Sequence, residues 1–174
     1  VGDAVLVSVK DYELTEEQWQ VILGGSFGDG SLRQVGTHAA AFRVGHGEAQ
    51  KDYLRWKREM LAPFASEIRR TGRGWGFDTL AMPALAELRG AYYGEGGARR
   101  AVDSTLDRLD ARGLAVWYAD DGSFMGSFER WGKGKAVLYN TALSGDSRLR
   151  VQALFERLAV GRPPDDRPGF WFDS

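Results

Sequence analysis

The chain has 174 residues, 43% hydrophobic and 27% charged, which is ordinary globular composition and enough for one domain or two small repeats sharing a core. It has no cysteine and two histidines, His38 and His46, which excludes disulfide scaffolds, thiolate zinc sites, cysteine nucleophiles and histidine-rich metal centres. The net charge of −1 conceals an alternation: −5 over residues 1–30, +5 over 31–75, −3 over 76–122 and +2 over 123–174, as two units of similar design would give. Nothing resembles a signal peptide or a spanning helix, since the apolar run Ala4–Val9 is far too short. A cytoplasmic protein with no membrane contact is expected.

In chain order, residues 1–12 read as a linking strand. Thr15-Glu16-Glu17-Gln18 is a capping box that opens a helix through Trp19, Val21, Ile22, Leu23 and Phe27, ending at Asp29-Gly30 with glycine as a left-handed terminus. Two strands follow, Ser31–Arg33 and Ala40–Val44, around the turn Val35-Gly36-Thr37. Glu48–Leu61 has helical spacing at Tyr53, Leu54, Trp56, Met60 and Leu61, with Arg55, Lys57 and Arg58 as its wet face. Glu67–Arg70 and Trp75–Leu80 pair as a hairpin across Thr71–Gly74, and Pro83 opens a helix through Tyr92. Gly94–Gly97 is a linker.

A short helix around Ser104–Leu109 leads into Leu114–Ala119 and Asp120-Asp121-Gly122. Strands Ser123–Phe128 and Ala136–Thr141 flank a Gly-Lys-Gly-Lys turn at 132–135, Ser147–Leu158 is helical, and Gly169–Asp173 is strand-like after a loop. Helix, two strands, helix, two strands, helix is thus nearly repeated, with the last helix of the second copy missing. The expected units are 13–100 and 101–174.

The segment Ile22–Gly30 carries the chemistry. Glycine in a helix costs about 1 kcal/mol relative to alanine, and is kept where another backbone passes close by. Gly24 and Gly28, four apart, share a face, as do Ala115 and Ala119 in the second unit, so two helices crossing at short range are expected there. Asp29 and Asp121 each lie at a helix carboxyl end, where the helix dipole disfavours an anion. Side by side they repel, which raises one pKa unless a cation intervenes. A single Asp-Gly is usually only a turn; two on paired helices point to a divalent ion. The oxygen donors suit Mg²⁺, with Mn²⁺ as the alternative, held by Asp29 and Asp121 with Gly28 and Asp120 beside them; Asp120 reads equally as a helix-end charge.

Ile22–Gly30 and Leu114–Gly122 resemble the two signature helices of LAGLIDADG homing endonucleases, in the two-motif, monomeric form. The run Phe42-x-x-x-His46-x-x-x-Gln50-x-x-Tyr53-x-x-Trp56-Lys57 resembles the stretch after the first motif in nucleases carried by bacterial inteins, and Val1–Lys10 resembles the strand leading in from a splicing domain. The likeness covers about residues 15–160. Gly25, Ser26 and Phe27 depart from the first motif, Val116 and Ala119 from the second; the penultimate acids are kept as Asp29 and Asp121.

The resemblance implies an α/β (α+β) fold of two pseudo-symmetric αββαββα repeats whose saddle-shaped antiparallel sheets face duplex DNA. It implies Asp29 and Asp121 as metal-binding catalytic residues that together make a double-strand break, with a host protein in cis if the chain is an intein. A basic residue would assist each metal: Lys135 at the second, Arg70 or Arg73 at the first, each otherwise a solvated strand or turn charge. His46 and Gln50 would contact phosphate or a metal-bound water, or else make only a structural hydrogen bond. DNA contacts would come from alternate strand residues, Arg33, Arg43, Arg69 and Arg73 in the first unit and Arg130, Lys133 and Lys135 in the second. The slight acidity predicts weaker non-specific binding than a basic nuclease has. A non-catalytic DNA-binding regulator of the same fold and an RNA-splicing maturase are the alternatives.

Overall fold

The computed structural model describes residues 13–72, 74–94, 97, 99, 102–127, 133–139, 145–160 and 170–173. Helix α1 (Glu16–Phe27) begins with the expected capping box: Thr15 Oγ1 accepts from the Gln18 amide at 3.2 Å, and Gln18 Oε1 accepts from the Thr15 amide at 3.0 Å. Strands β1 (Ser31–Val35) and β2 (Ala39–His46), a 3-10 turn (Glu48–Gln50), α2 (Lys51–Met60), β3 (Arg69–Thr71), β4 (Gly74–Asp78) and α3 (Pro83–Tyr92) complete an αββαββα unit. Its sheet is antiparallel in the order β1-β2-β4-β3.

After the short α4 (Asp103–Leu106) come α5 (Ala111–Asp121), β5 (Gly122–Ser127), β6 (Lys133–Leu138), α6 (Gly145–Arg157) and β7 (Phe170–Asp173). The second sheet runs β5-β6-β7, with β7 antiparallel to β6 as β4 is to β2. The mixed α/β class with antiparallel sheets is therefore as expected.

Each unit has its own core. Leu32, Phe42, Val44, Leu54, Leu61, Phe77 and Leu85 fill the first, and Trp117, Leu138, Val151, Leu154, Phe155 and Phe170 the second. Helix α1 belongs to both, sending Val21 and Ile22 into one and Leu23 and Phe27 into the other. That position explains why it is apolar around most of its circumference rather than along one stripe.

Several local expectations are corrected. Helix α1 stops at Phe27, and its cap, Gly28, has φ −96°, so no left-handed glycine ends it. Instead Arg99 donates to the carbonyls of Gly28 and Gly30 at 2.8 and 3.0 Å, a basic side chain satisfying a helix carboxyl end. Lys133–Lys135 lies inside β6, not in a turn: the Phe124 ring covers Gly134, where a Cβ would collide with it, so the glycine serves close packing. The expected linking strand at 1–12 and the loop at 161–169 fall outside the described residues.

The two halves meet where α1 crosses α5. Gly24 lies against the Gly113 carbonyl and Val116, and Gly28 against Asp120, so the face expected on α1 is the contact face. On α5 the contacts are Gly113, Val116 and Asp120, spaced three and four apart. Ala115 and Ala119 sit about a quarter-turn away and line a cavity of about 620 Å³ with Tyr53, Trp56 and Met60. The expected small-residue contact of Ala115 and Ala119 with α1 is corrected accordingly. Buried Gln20 ties the start of α5 to α1, donating to the Arg108 carbonyl at 2.8 Å and accepting from the Asp110 amide at 2.9 Å. Among the described residues no helix is long and apolar enough to cross a membrane.

Candidate active site

The crossing brings both signature helices to one point at their carboxyl ends. Asp29 follows α1 by two residues and Asp121 is the last residue of α5. Asp29 keeps 39% of its side chain exposed and lies at a concavity of about 460 Å³ that it shares with His46, Gln50, Thr71 and Trp75. Burial and then the neighbouring carboxylates of Asp29 and Asp120 push Asp121 up to about 6, against the weaker opposing pull of Arg99 and Lys57. Two acids 92 residues apart in the sequence thus share one electrostatic environment.

Behind them lies a buried polar network. One donor atom each of Asp29, His46 and Asp120 lies within 4.8 Å of the others. The Lys57 ammonium, fully buried, donates to Asp120 Oδ1 at 2.5 Å and sits 3.3 Å from His46 Nε2. Asp120 Oδ2 accepts from the Asp29 amide at 3.3 Å, and His46 Nδ1 lies 3.2 Å from Asp29 Oδ2. Burial pulls the Lys57 pKa down while Asp120, Asp29 and Asp121 hold it against that pull; burial raises Asp120, with Lys57 acting in the opposite sense. Tyr53 closes the cluster, its ring tilted against His46 at 5.2 Å between centroids and its hydroxyl donating to the Val116 carbonyl at 3.2 Å.

The raised Asp121 has a signed consequence. A carboxyl bound more tightly to its proton in the folded state than in the unfolded chain stabilises the fold fully below 3.8, and that stabilisation is lost as the pH rises through about 6. Relative to Asp121→Asn, the wild-type chain in chelator is therefore expected to lose stability between pH 4 and pH 7. Denaturant midpoints measured for both at the two pH values check it, and a parallel shift of the two proteins would contradict it.

Strand register sorts the basic residues. Cross-strand pairs put Arg33, Arg43 and Arg69 on one exposed face of the first sheet. Arg43 and Arg69 both bond Asp78, Arg43 at 2.6 Å; burial works to raise Asp78, but these bonds carry it below the ordinary carboxylate range. Arg70 projects to the opposite face, 5.5 Å over the Trp75 ring, so it does not join the Arg33 row. Gln50 sits at the start of α2, Lys135 is exposed on β6 opposite Met125, and Lys133 begins that strand. Arg73 and Arg130 fall outside the described residues.

The gathered set is therefore Asp29, Asp120, Asp121, His46 and Lys57, with Gly28 beneath Asp120 and its carbonyl engaged by Arg99. Lys57, expected on the wet face of α2, is instead fully buried in the site, and neither it nor Arg99 was among the expected site residues. For Lys57 a signal existed, because Leu54, Lys57 and Leu61 are all buried on one helical stripe, where a solvated lysine does not belong. For Arg99 there was none, since its partners lie 69 and 71 residues away.

Two α/β halves meet at crossed helices, with one acidic centre between them. Residues 19–158 match the LAGLIDADG DNA endonuclease family, and the chain belongs to that family. It is similar to Protein RecA of Mycolicibacterium flavescens, 36% identical over 160 residues that cover 87% of this chain and 38% of that protein. It is similar also to Protein RecA of Mycolicibacterium fallax, 40% identical over 126 residues, 71% of this chain and 30% of that one. The chain thus spans less than two fifths of the length of the curated relatives it matches. Among solved structures, the homing endonuclease I-WcaI bound to its DNA recognition sequence shares the fold with a TM-score of 0.76 at 16% identity, over 99% of this chain and 84% of that one. The LAGLIDADG meganuclease I-AabMI bound to uncleaved DNA does so at 0.53 and 11%, over 90% and 78%.

Proposed function

We propose that the chain is a monomeric, site-specific endonuclease that hydrolyses one phosphodiester bond in each strand of duplex DNA with a divalent metal, as the nuclease part of an intein. The observation that carries this reading is the meeting of Asp29 and Asp121, from separate halves, at adjoining helix carboxyl ends. A protein that only bound DNA would gain nothing from two carboxylates facing phosphate, which disfavours the regulator. The donor set fits a divalent ion: carboxylates that raise one another's pKa are relieved by a cation, and Asp29 is open to solvent beside a concavity. Asp29 and Asp121 would hold it, and their all-oxygen chemistry favours Mg²⁺, with Mn²⁺ as the alternative. When bound there, such an ion polarises the scissile phosphate and lowers the pKa of a water.

The chain's own residues orient the duplex. Arg33, Arg43 and Arg69 present guanidinium groups from one sheet face, and Asp78 holds two of them in place before DNA arrives. Guanidinium reads guanine edges in a bidentate way, whereas Lys133 and Lys135 on the second sheet suit phosphate. Gln50 borders the Asp29 concavity, within reach of backbone phosphates there. That the chain corresponds to about 38% of RecA relatives supports residence in cis within a longer host of that kind.

A plasmid carrying the host sequence with the insert removed tests the reading. With Mg²⁺ or Mn²⁺ linear product is expected, and with chelator only a bound complex. Binding without cutting in either metal would favour the regulator, and preference for RNA over duplex DNA the maturase.

A further inference from the structure

Lys57 lies in the middle of α2 with no solvent exposure, its ammonium 2.5 Å from Asp120 Oδ1, 3.3 Å from His46 Nε2 and 4.5 Å above the Tyr53 ring. An ammonium carries hydrogens and no lone pair. His46 Nε2 faces this ammonium at 3.3 Å, nearer than Asp120 Oδ1 at 3.7 Å, an arrangement in which Nε2 offers its lone pair and a neutral ring carries its proton on Nδ1. That nitrogen is buried, makes no hydrogen bond as it stands, and lies 3.2 Å from Asp29 Oδ2. Through its other contact the same ammonium reaches Asp29 again, because Asp120 Oδ2 accepts from the Asp29 amide at 3.3 Å.

One buried cation therefore bears on Asp29 from two sides, at its carboxylate through an imidazole and at its backbone through Asp120. Among the described residues no such hydrogen-bonded relay reaches Asp121, on which Lys57 and Arg99 act only through their charge. Among the described residues the buried positions of α6, the helix that answers to α2, include the polar Ser147 and Gln152 beside Val151, Leu154 and Phe155, and none of them is a cation.

We propose that Lys57 is a positioning residue for Asp29 alone: it fixes His46 as the Nδ1–H tautomer, and the two strands of the DNA are consequently cut at different rates. Asp120, the pseudo-symmetric counterpart of Gly28, acts in this relay and its buried carboxylate is committed to Lys57. This rests on the nuclease reading above.

The test uses the full chain and two independent measurements. Nitrogen NMR of imidazole-labelled protein, with only His38 and His46 to assign, is expected to show His46 protonated at Nδ1 and bare at Nε2. An Nε2–H tautomer overturns the inference without reference to cleavage. Lys57→Met combined with Asp120→Asn removes both charges together, so that neither is left buried alone. On duplex labelled separately on each strand, this double variant is expected to cut one strand about tenfold or more slowly while the other changes less than about twofold, the range that loss of a ligand-orienting partner produces. Equal slowing of both strands, or of neither, overturns it. A wild-type chain that binds duplex but cuts neither strand overturns the nuclease reading and the strand difference with it; a wild-type chain that cuts both at one rate overturns the inference alone.

Discussion

Replacing Asp29 or Asp121 by asparagine is expected to lower cleavage at least about a thousandfold while leaving duplex affinity within about threefold, because the loss falls on charge stabilisation in the transition state rather than on binding. Asparagine keeps the shape of each side chain and removes the charge that would hold a divalent ion. Affinity is spared because the basic residues are elsewhere: Arg33, Arg43 and Arg69 lie on the sheet face, apart from the helix ends. Removing an anion near the phosphates can only reduce repulsion. The neighbouring acid behaves in the opposite way. Asp121→Asn relieves a half-buried carboxylate crowded by Asp29 and Asp120, so it does not destabilise the fold. Asp120→Asn strands the fully buried Lys57 ammonium and is expected to cost about 3–5 kcal/mol, the usual penalty for breaking a buried pair from one side. Melting curves and a strand-cleavage assay on the three variants separate the roles. A destabilised Asp121→Asn together with an unaffected Asp120→Asn would reverse the assignment of the two adjacent acids.

What could be read from the sequence was local in origin. Thr15 and Gln18 are three apart, so their capping box follows from helix geometry alone and is found bond for bond. Gly24 and Gly28 mark a face for the same reason, and that face is the one in contact. Which face of α5 answers it is a tertiary matter. Gly113, Val116 and Asp120 win over Ala115 and Ala119 because α2 stands beside α5, leaving the alanines toward Tyr53 and Trp56. Arg69 and Arg70 show the same limit in a sheet: one step of register decides which faces outward with Arg43 and which turns to Trp75. The site's buried half, Lys57 with His46 and Asp120, is assembled across 11 and 63 residues of sequence. His46 and Asp120 stand out in the sequence singly, but what joins them is the lysine on the apolar stripe of α2, which the sequence reading leaves to solvent.

The helix crossing itself is the other feature with a large expected effect. At Gly24 an added Cβ would lie 2.9 Å from Val116 Cβ and closer still to the Gly113 carbonyl oxygen, so the obstacle is largely backbone and no rotamer change clears it. Gly24→Ala must spread α1 from α5, and α1 supplies side chains to both cores, so neither half escapes the strain. Overpacking of this kind costs about 3 kcal/mol, which for a chain of this size lowers the melting temperature by about 9 °C. Gly90 is the control. It is exposed on α3 with nothing near its Cβ position, so Gly90→Ala is expected to gain about 1 kcal/mol from helix propensity and raise the melting temperature by about 3 °C. The same spreading moves Asp29 relative to Asp121, since both hang on the ends of the separated helices. Gly24→Ala is thus expected to lose cleavage even at temperatures where it remains folded, whereas Gly90→Ala keeps it. A Gly24→Ala protein as stable as wild type would mean that the helices cross more loosely than these contacts require, and the shared acidic centre would lose its structural cause.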